Sequence, residues 1–185
     1  VIYLALEEKL SEIKRHFISL GAVGTEPIFI ATEFSADFNK LKAIIEEKQA
    51  VFAIIDPLFK MIRVRDSNEY AGMSRAIKDI HDVARKTGAH IMMVHHATKG
   101  GQGADSILGS TALFGGVDTA IILRKDGITR SIASTQRYGI DIPDTTLSFD
   151  QTTRTISLGI SQAAATSISM EQKILAFLSQ QIQPV

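Results

Sequence analysis

Residues 51–57, Val-Phe-Ala-Ile-Ile-Asp-Pro, constrain the fold more than any other stretch of this chain. A continuous run of apolar and small residues, rich in β-branched and aromatic side chains, suits a strand buried on both faces of a parallel sheet. Asp56 then falls at its carboxyl end. In open α/β sheets ligands bind in the crevice outside that end, so a carboxylate there is placed to reach a magnesium ion or an ordered water. An aspartate before a proline is equally at home capping a turn, and the stretch alone does not choose between the two.

The same pattern recurs along the first half of the chain. Residues 1–6 read as a buried strand followed at once by Glu7 and Glu8, and residues 89–96 read as another, with His95 and His96 at its far end. Residues 27–31 make a shorter strand, placed near an edge by its leading proline. Between the strands lie helical stripes. Leu10, Ile13, Phe17 and Leu20 form the first, and Phe38, Leu41, Ile44 and Ile45 form the second, with Ser35 and Asp37 as candidate caps. Met73, Ile77, Ile80 and Ala84 form the third, within a helix expected over 68–86 and closed by Gly88. Strand and helix alternate, so the fold class is α/β, with parallel strands joined by right-handed crossovers.

After Thr98 the character changes. Residues 99–106, KGGQGADS, are too rich in glycine to hold one conformation unaided, and such loops are usually functional or mobile. A short small-residue helix is expected over 107–116, then strands at 117–123 and 128–134 around an Asp126–Gly127 hairpin turn, and further strands near 146–149 and 155–158. These make an antiparallel β-meander at the C-terminal edge of the sheet. Residues 161–168 read as a linker, and Ser169 with Gln172 as a capping box opening a last helix. The domain plan is therefore a core over 1–160, the linker, and the start of a helical, winged-helix-like segment over 169–185. A start inside a strand and a stop within a helix suggest a piece of a longer product.

At 185 residues the chain suffices for one domain with a real core. With 45% hydrophobic and 22% charged residues its composition is that of a soluble globular protein. It has no cysteine, which excludes disulfides and thiolate metal sites and fits a reducing cytoplasm. No apolar run approaches the roughly 20 residues that span a bilayer, so no membrane partner is expected. A formal net charge of zero argues against a uniformly basic nucleic-acid binder and leaves local clusters such as Lys60, Arg63, Arg65 and Lys99 to make any such contact.

Parallel strands bring Glu7, Asp56 and the His95–His96 pair to one carboxyl edge. A carboxylate there can polarise an attacking water in phosphoryl transfer. Asp56 would hold magnesium, and His96 would donate a hydrogen bond toward a terminal phosphate. Glu7 and Glu8 can equally be acids in the first turn of a helix, stabilised by its dipole. A zinc or iron centre at the His pair is a further reading, in which adjacent residues on a strand point to opposite faces and only one histidine joins the site.

As an ordered set, VIYLALEE, VFAIIDPL, TGAHIMMVHHATKG, DSILGSTALFGGVDTAIIL, STQRYG and LSFD closely resemble the RecA-like ATPases of the hexameric replicative helicase group, of RepA-like and DnaB-like type. The resemblance covers residues 1–158. It implies a RecA-like P-loop NTPase core, a mostly parallel twisted sheet flanked by helices, working with ATP and Mg2+ on single-stranded DNA as a ring or filament of identical subunits. By it, Glu7 matches the catalytic glutamate, Asp56 the Walker B aspartate, and His95 with His96 the paired histidines after the next strand. Arg63, Arg65 and the 99–106 loop match channel-facing loops, and Arg137 matches the arginine finger that reaches a neighbouring subunit's nucleotide. Thr135 stands where the group usually carries a lysine two residues before the finger.

A larger departure is that no GxxxxGK[ST] phosphate loop occurs in the sequence. The glycine-rich run cannot replace it, having no Lys-Ser/Thr pair to meet phosphate and magnesium. The resemblance thus implies an ATP-dependent DNA motor whose Walker A segment precedes residue 1, so that these residues alone hydrolyse ATP weakly or not at all. A non-catalytic DNA-binding or assembly subunit on a degenerate version of the same fold is the alternative.

Overall fold

The structure is a computed structural model that describes residues 1–35, 37–62, 70–96, 111–127 and 129–181. Two compact units divide it, Val1–Val117 and Asp118–Val185.

In the first unit the apolar runs become strands β1 (Ile2–Ala5), β2 (Phe29–Ala31), β3 (Phe52–Asp56) and β4 (His90–Met93). All are parallel, in the order β2-β1-β3-β4. Helices α1 (Leu10–Ser19), α2 (Phe38–Glu47), α3 (Leu58–Met61), α4 (Tyr70–Thr87) and α5 (Thr111–Gly115) belong to the same unit. Asp37 caps α2, its Oδ1 accepting from the amides of Asn39 and Lys40 at 3.0 and 3.1 Å, a contact typically contributing about 1 kcal/mol.

Strand register divides the residues between two faces. Ile2 pairs with Ala53 and Leu4 with Ile55, and all four are buried in a core completed by Leu41 and Ile45 of α2 and by Met73, Ile77 and Ile80 of α4. Tyr3, on the opposite face of β1, meets Phe17 of α1 edge-on with ring centroids 6.3 Å apart. Hence α1 lies on one face of the sheet and α2 with α4 on the other. From β1 the chain moves outward to β2, and from β3 it moves the opposite way to β4. That makes the boundary between β1 and β3 the topological switch point, the place in open α/β sheets outside whose strand ends ligands bind.

The second unit is antiparallel. Strands β5 (Thr119–Asp126), β6 (Thr129–Gln136), β7 (Thr145–Phe149) and β8 (Ile156–Ser161) form a meander in sequence order, and α6 (Gln162–Gln181) follows. Two sequence expectations are corrected here. Asp126 pairs with Thr129 and so belongs to the strand and not to the turn, while Gly127 follows it at φ +54°. Finally, α6 begins at Gln162, so the stretch expected as a linker is helical and Ser169 lies inside the helix. Ser161 supplies the cap in its place, its Oγ accepting from the amide of Ala164 at 3.2 Å, and the alanines that follow favour helix.

Candidate functional site

The carboxyl edge at the switch point collects the polar residues that end the buried strands. Ala5 pairs with Asp56, and the amide of Leu6 donates to the Asp56 carbonyl at 2.7 Å, so β1 hands its next residue, Glu7, to the rim beside Asp56. On the other side of β3, the amide of Val94 donates to the Ile55 carbonyl at 2.9 Å, and that of Leu58 donates to Val94 at 2.8 Å. Those two bonds tie the end of β4, and with it His95 and His96, to the turn after Asp56.

Glu7, His96 and Lys60 meet at this rim. His96 Nε2 lies 3.6 Å from Glu7 Oε2, and Lys60 Nζ lies 3.9 Å from Glu7 Oε1. All three side chains are exposed, so these pairs contribute little to stability; they leave polar atoms facing solvent where a ligand can replace water. Phe59 braces the group from below. Its ring centroid is 5.6 Å from that of His96, and Lys60 Nζ stands 5.8 Å from it. Of the two histidines His96 is the one that reaches Glu7, while His95 is half-buried. Glu8 turns the other way, to His16 of α1, with Oε2 3.7 Å from Nδ1.

Asp56 is half-buried and tethered. The hydroxyl of Tyr3 donates to its Oδ2 at 3.0 Å. Burial first, then this hydrogen bond and the negative charge of Asp56, push the Tyr3 phenol up to about 12. Tyr3 engages one carboxylate oxygen. A single strand-end carboxylate suits magnesium, which keeps several waters and takes one or two carboxylates together with substrate phosphates. Among the described residues no group of three or more His, Asp or Glu is arranged to hold a metal by itself, which leaves the His-pair zinc or iron reading without a ligand set there.

Lys60, expected at a DNA-facing surface, reaches Glu7 in this structure. Arg63, Arg65 and Lys99, with the rest of the 99–106 loop, fall outside the described residues. Arg137 belongs to the second unit, immediately after β6. Its amide donates to the Asp118 carbonyl at 2.8 Å, and its guanidinium lies 3.5 Å from the Asp118 carboxylate. Sequence reasoning missed Tyr3 and the bracing by Phe59, because both depend on strand register and on how α3 turns back after Pro57. The one available signal was the period of two that puts Tyr3, Ala5 and Glu7 on one side of β1.

No helix among the described residues is long and apolar enough to cross a membrane. No curated protein matches the chain. The family described as AAA domain matches residues 3–102, more than half of the chain, in a stretch that runs from within β1 past β4 and takes in the rim bearing Glu7, Asp56 and His96. The chain therefore belongs to the AAA domain family, whose members are nucleotide-binding domains of the ATPase type.

Proposed function

We propose that this chain is the core of an ATP-dependent DNA motor of the replicative helicase or recombination type, built on a RecA-like fold and active as a ring or filament. The observation that carries this reading is the meeting of Glu7 and His96, 3.6 Å apart, beside Asp56 at the switch point of a parallel sheet. In phosphoryl transfer the protein mainly positions groups and stabilises charge. Glu7 orients and polarises the attacking water. Asp56, steadied by Tyr3, would hold the magnesium that accompanies ATP, whose chemistry there would be to offset charge on the phosphates. His96 moves between Glu7 and the terminal phosphate, and so reports whether that phosphate is present. Arg137 exchanges Asp118 for the nucleotide of a neighbouring subunit. Arg63, Arg65 and Lys99 meet the backbone of single-stranded DNA, and Lys60 joins them when it leaves Glu7.

This reading needs backbone amides that cradle the phosphates, and the 185 residues contain no GxxxxGK[ST] loop to supply them. The same observation favours the second reading, a non-catalytic DNA-binding or assembly subunit on this fold. Turnover separates the two. Magnesium-dependent ATP hydrolysis stimulated by single-stranded DNA is expected in the full-length protein, and weak or no hydrolysis from residues 1–185 alone. E7Q in the full-length protein is expected to lower turnover by roughly 10²–10⁴-fold, with nucleotide binding retained. Unchanged turnover in E7Q removes Glu7 from the mechanism. A full-length protein that binds DNA without hydrolysing ATP selects the second reading.

A further inference from the structure

The second unit exposes two apolar surfaces that match each other. Strand register places Ile121 and Leu123 of β5, Phe149 of β7, and Ile156 and Leu158 of β8 on one face of the meander. These five side chains are 41–67% exposed, and the exposed Lys125 and Arg130 lie on the same face. On the opposite face Ala120 and Ile122 are buried, so β5 turns Ile121 and Leu123 toward water while burying its alternate residues. Helix α6 carries the second surface. Met170, Ile174, Phe177 and Leu178, spaced four, three and one apart, form one stripe and are 48–61% exposed.

The connection between the two surfaces decides what covers them. Strand β8 ends at Ser161 and α6 starts at Gln162, with the junction pinned by the Ser161 cap. Folding a helix back over the sheet it leaves takes a reversing loop, commonly of about 2–6 residues, and none exists here. The helix that follows the meander therefore cannot reach the meander's own apolar face. Every other copy of the chain carries a helix that can.

We propose that α6 of one copy docks on the apolar face of the meander of a second copy. At roughly 100 Å² for each of these nine side chains, one such contact removes about 900 Å² from water, close to the roughly 1,000 Å² that marks the lower bound of biological interfaces and in the range of weak, reversible ones. Left uncovered, the sheet face alone makes a patch of roughly 500 Å², within the range of the largest apolar patches on monomers, which are often functional. Exchange of an identical element between copies is a low-cost route to assembly, because the contact needs no partner beyond the chain itself. The proposal is independent of nucleotide chemistry, and its failure leaves the assignment of Glu7, Asp56 and His96 where it stands.

The chain has no cysteine, so introduced thiols report cleanly. Two single variants, L158C with a mass tag and I174C without one, are mixed, oxidised mildly and separated by non-reducing electrophoresis. Both positions are exposed, and thermal melts confirm that each variant folds. The expected result is a mixed disulfide-linked species in excess of either homodimer, together with self-association of the unmodified chain in sedimentation equilibrium that I174E abolishes. A monomer at all concentrations, homodimeric cross-links alone, or self-association untouched by I174E overturns the proposal.

Discussion

Tyr3 owes its behaviour to one neighbour, and the consequence can be read by titration. Its phenol, ordinarily near 10.0, is pushed up to about 12 by burial, by the hydrogen bond to Asp56 and by that carboxylate's charge. Between those two values the folded protein keeps the phenolic proton that the unfolded chain releases. The raised pKa thus contributes stability that is fully present below pH 10 and is lost as pH rises through 12. Phenolate absorbance should show one of the three tyrosines titrating near 12, and Y3F should remove that step. Y3F should also flatten the fall of stability across this window. Equal alkaline losses in Y3F and the unmodified protein would show that Tyr3 does not sense Asp56. At neutral pH the same contact fixes the rotamer of Asp56, so Y3F is also expected to loosen the carboxylate assigned to magnesium.

Among the elements, β7 and β8 show how a single missing side chain sets a strand pairing. A Cβ on Gly159 would overlap Thr146 Oγ1 and lie 3.3 Å from the Thr146 carbonyl oxygen, while that hydroxyl donates to the Ile160 carbonyl at 3.0 Å. G159A should therefore destabilise the second unit by about 1–3 kcal/mol, and T146A in the same chain should recover part of the loss, since it removes the hydroxyl but not the carbonyl. Thermal denaturation of the two variants checks this; a G159A protein as stable as its parent would mean that the strands part without cost. The contact was invisible in the sequence because it depends on which residues face each other across two strands. The strands themselves were legible. Each of β1, β3 and β4 is an apolar run stopped by polar residues, which also exposed Glu7, Asp56 and His96 as a set. Asp37 was legible as a cap because its spacing to the apolar stripe is local. What failed was non-local or a balance of small preferences. Nothing within a strand's own residues shows that Asp126 pairs with Thr129 instead of making the turn, and the alanines after Ser161 favour helix where small polar neighbours had suggested a linker.

For the molecule as a whole, the motor reading turns on residues from different units and, by that reading, from different copies. Glu7 belongs to Val1–Val117 and Arg137 to Asp118–Val185, where Asp118 holds its guanidinium at 3.5 Å. If Arg137 completes a neighbour's site, a subunit with E7Q still donates a working arginine, and a subunit with R137A still offers a working glutamate. Each variant alone has every site damaged, one lacking the water-orienting carboxylate and the other the charge that stabilises the transferring phosphoryl group. In random mixed oligomers of a full-length protein, about a quarter of interfaces pair an intact Glu7 with an intact Arg137 from the next copy. ATP turnover in an equal mixture should therefore rise well above that of either variant, toward about a quarter of the parent rate if sites act independently. Such rescue requires subunits to exchange or to assemble together, so co-refolded mixtures are compared with variants mixed after assembly. If arginine and glutamate served the same copy, no mixture would exceed the average of its two components, and Arg137 would have to be reassigned to a role within its own subunit.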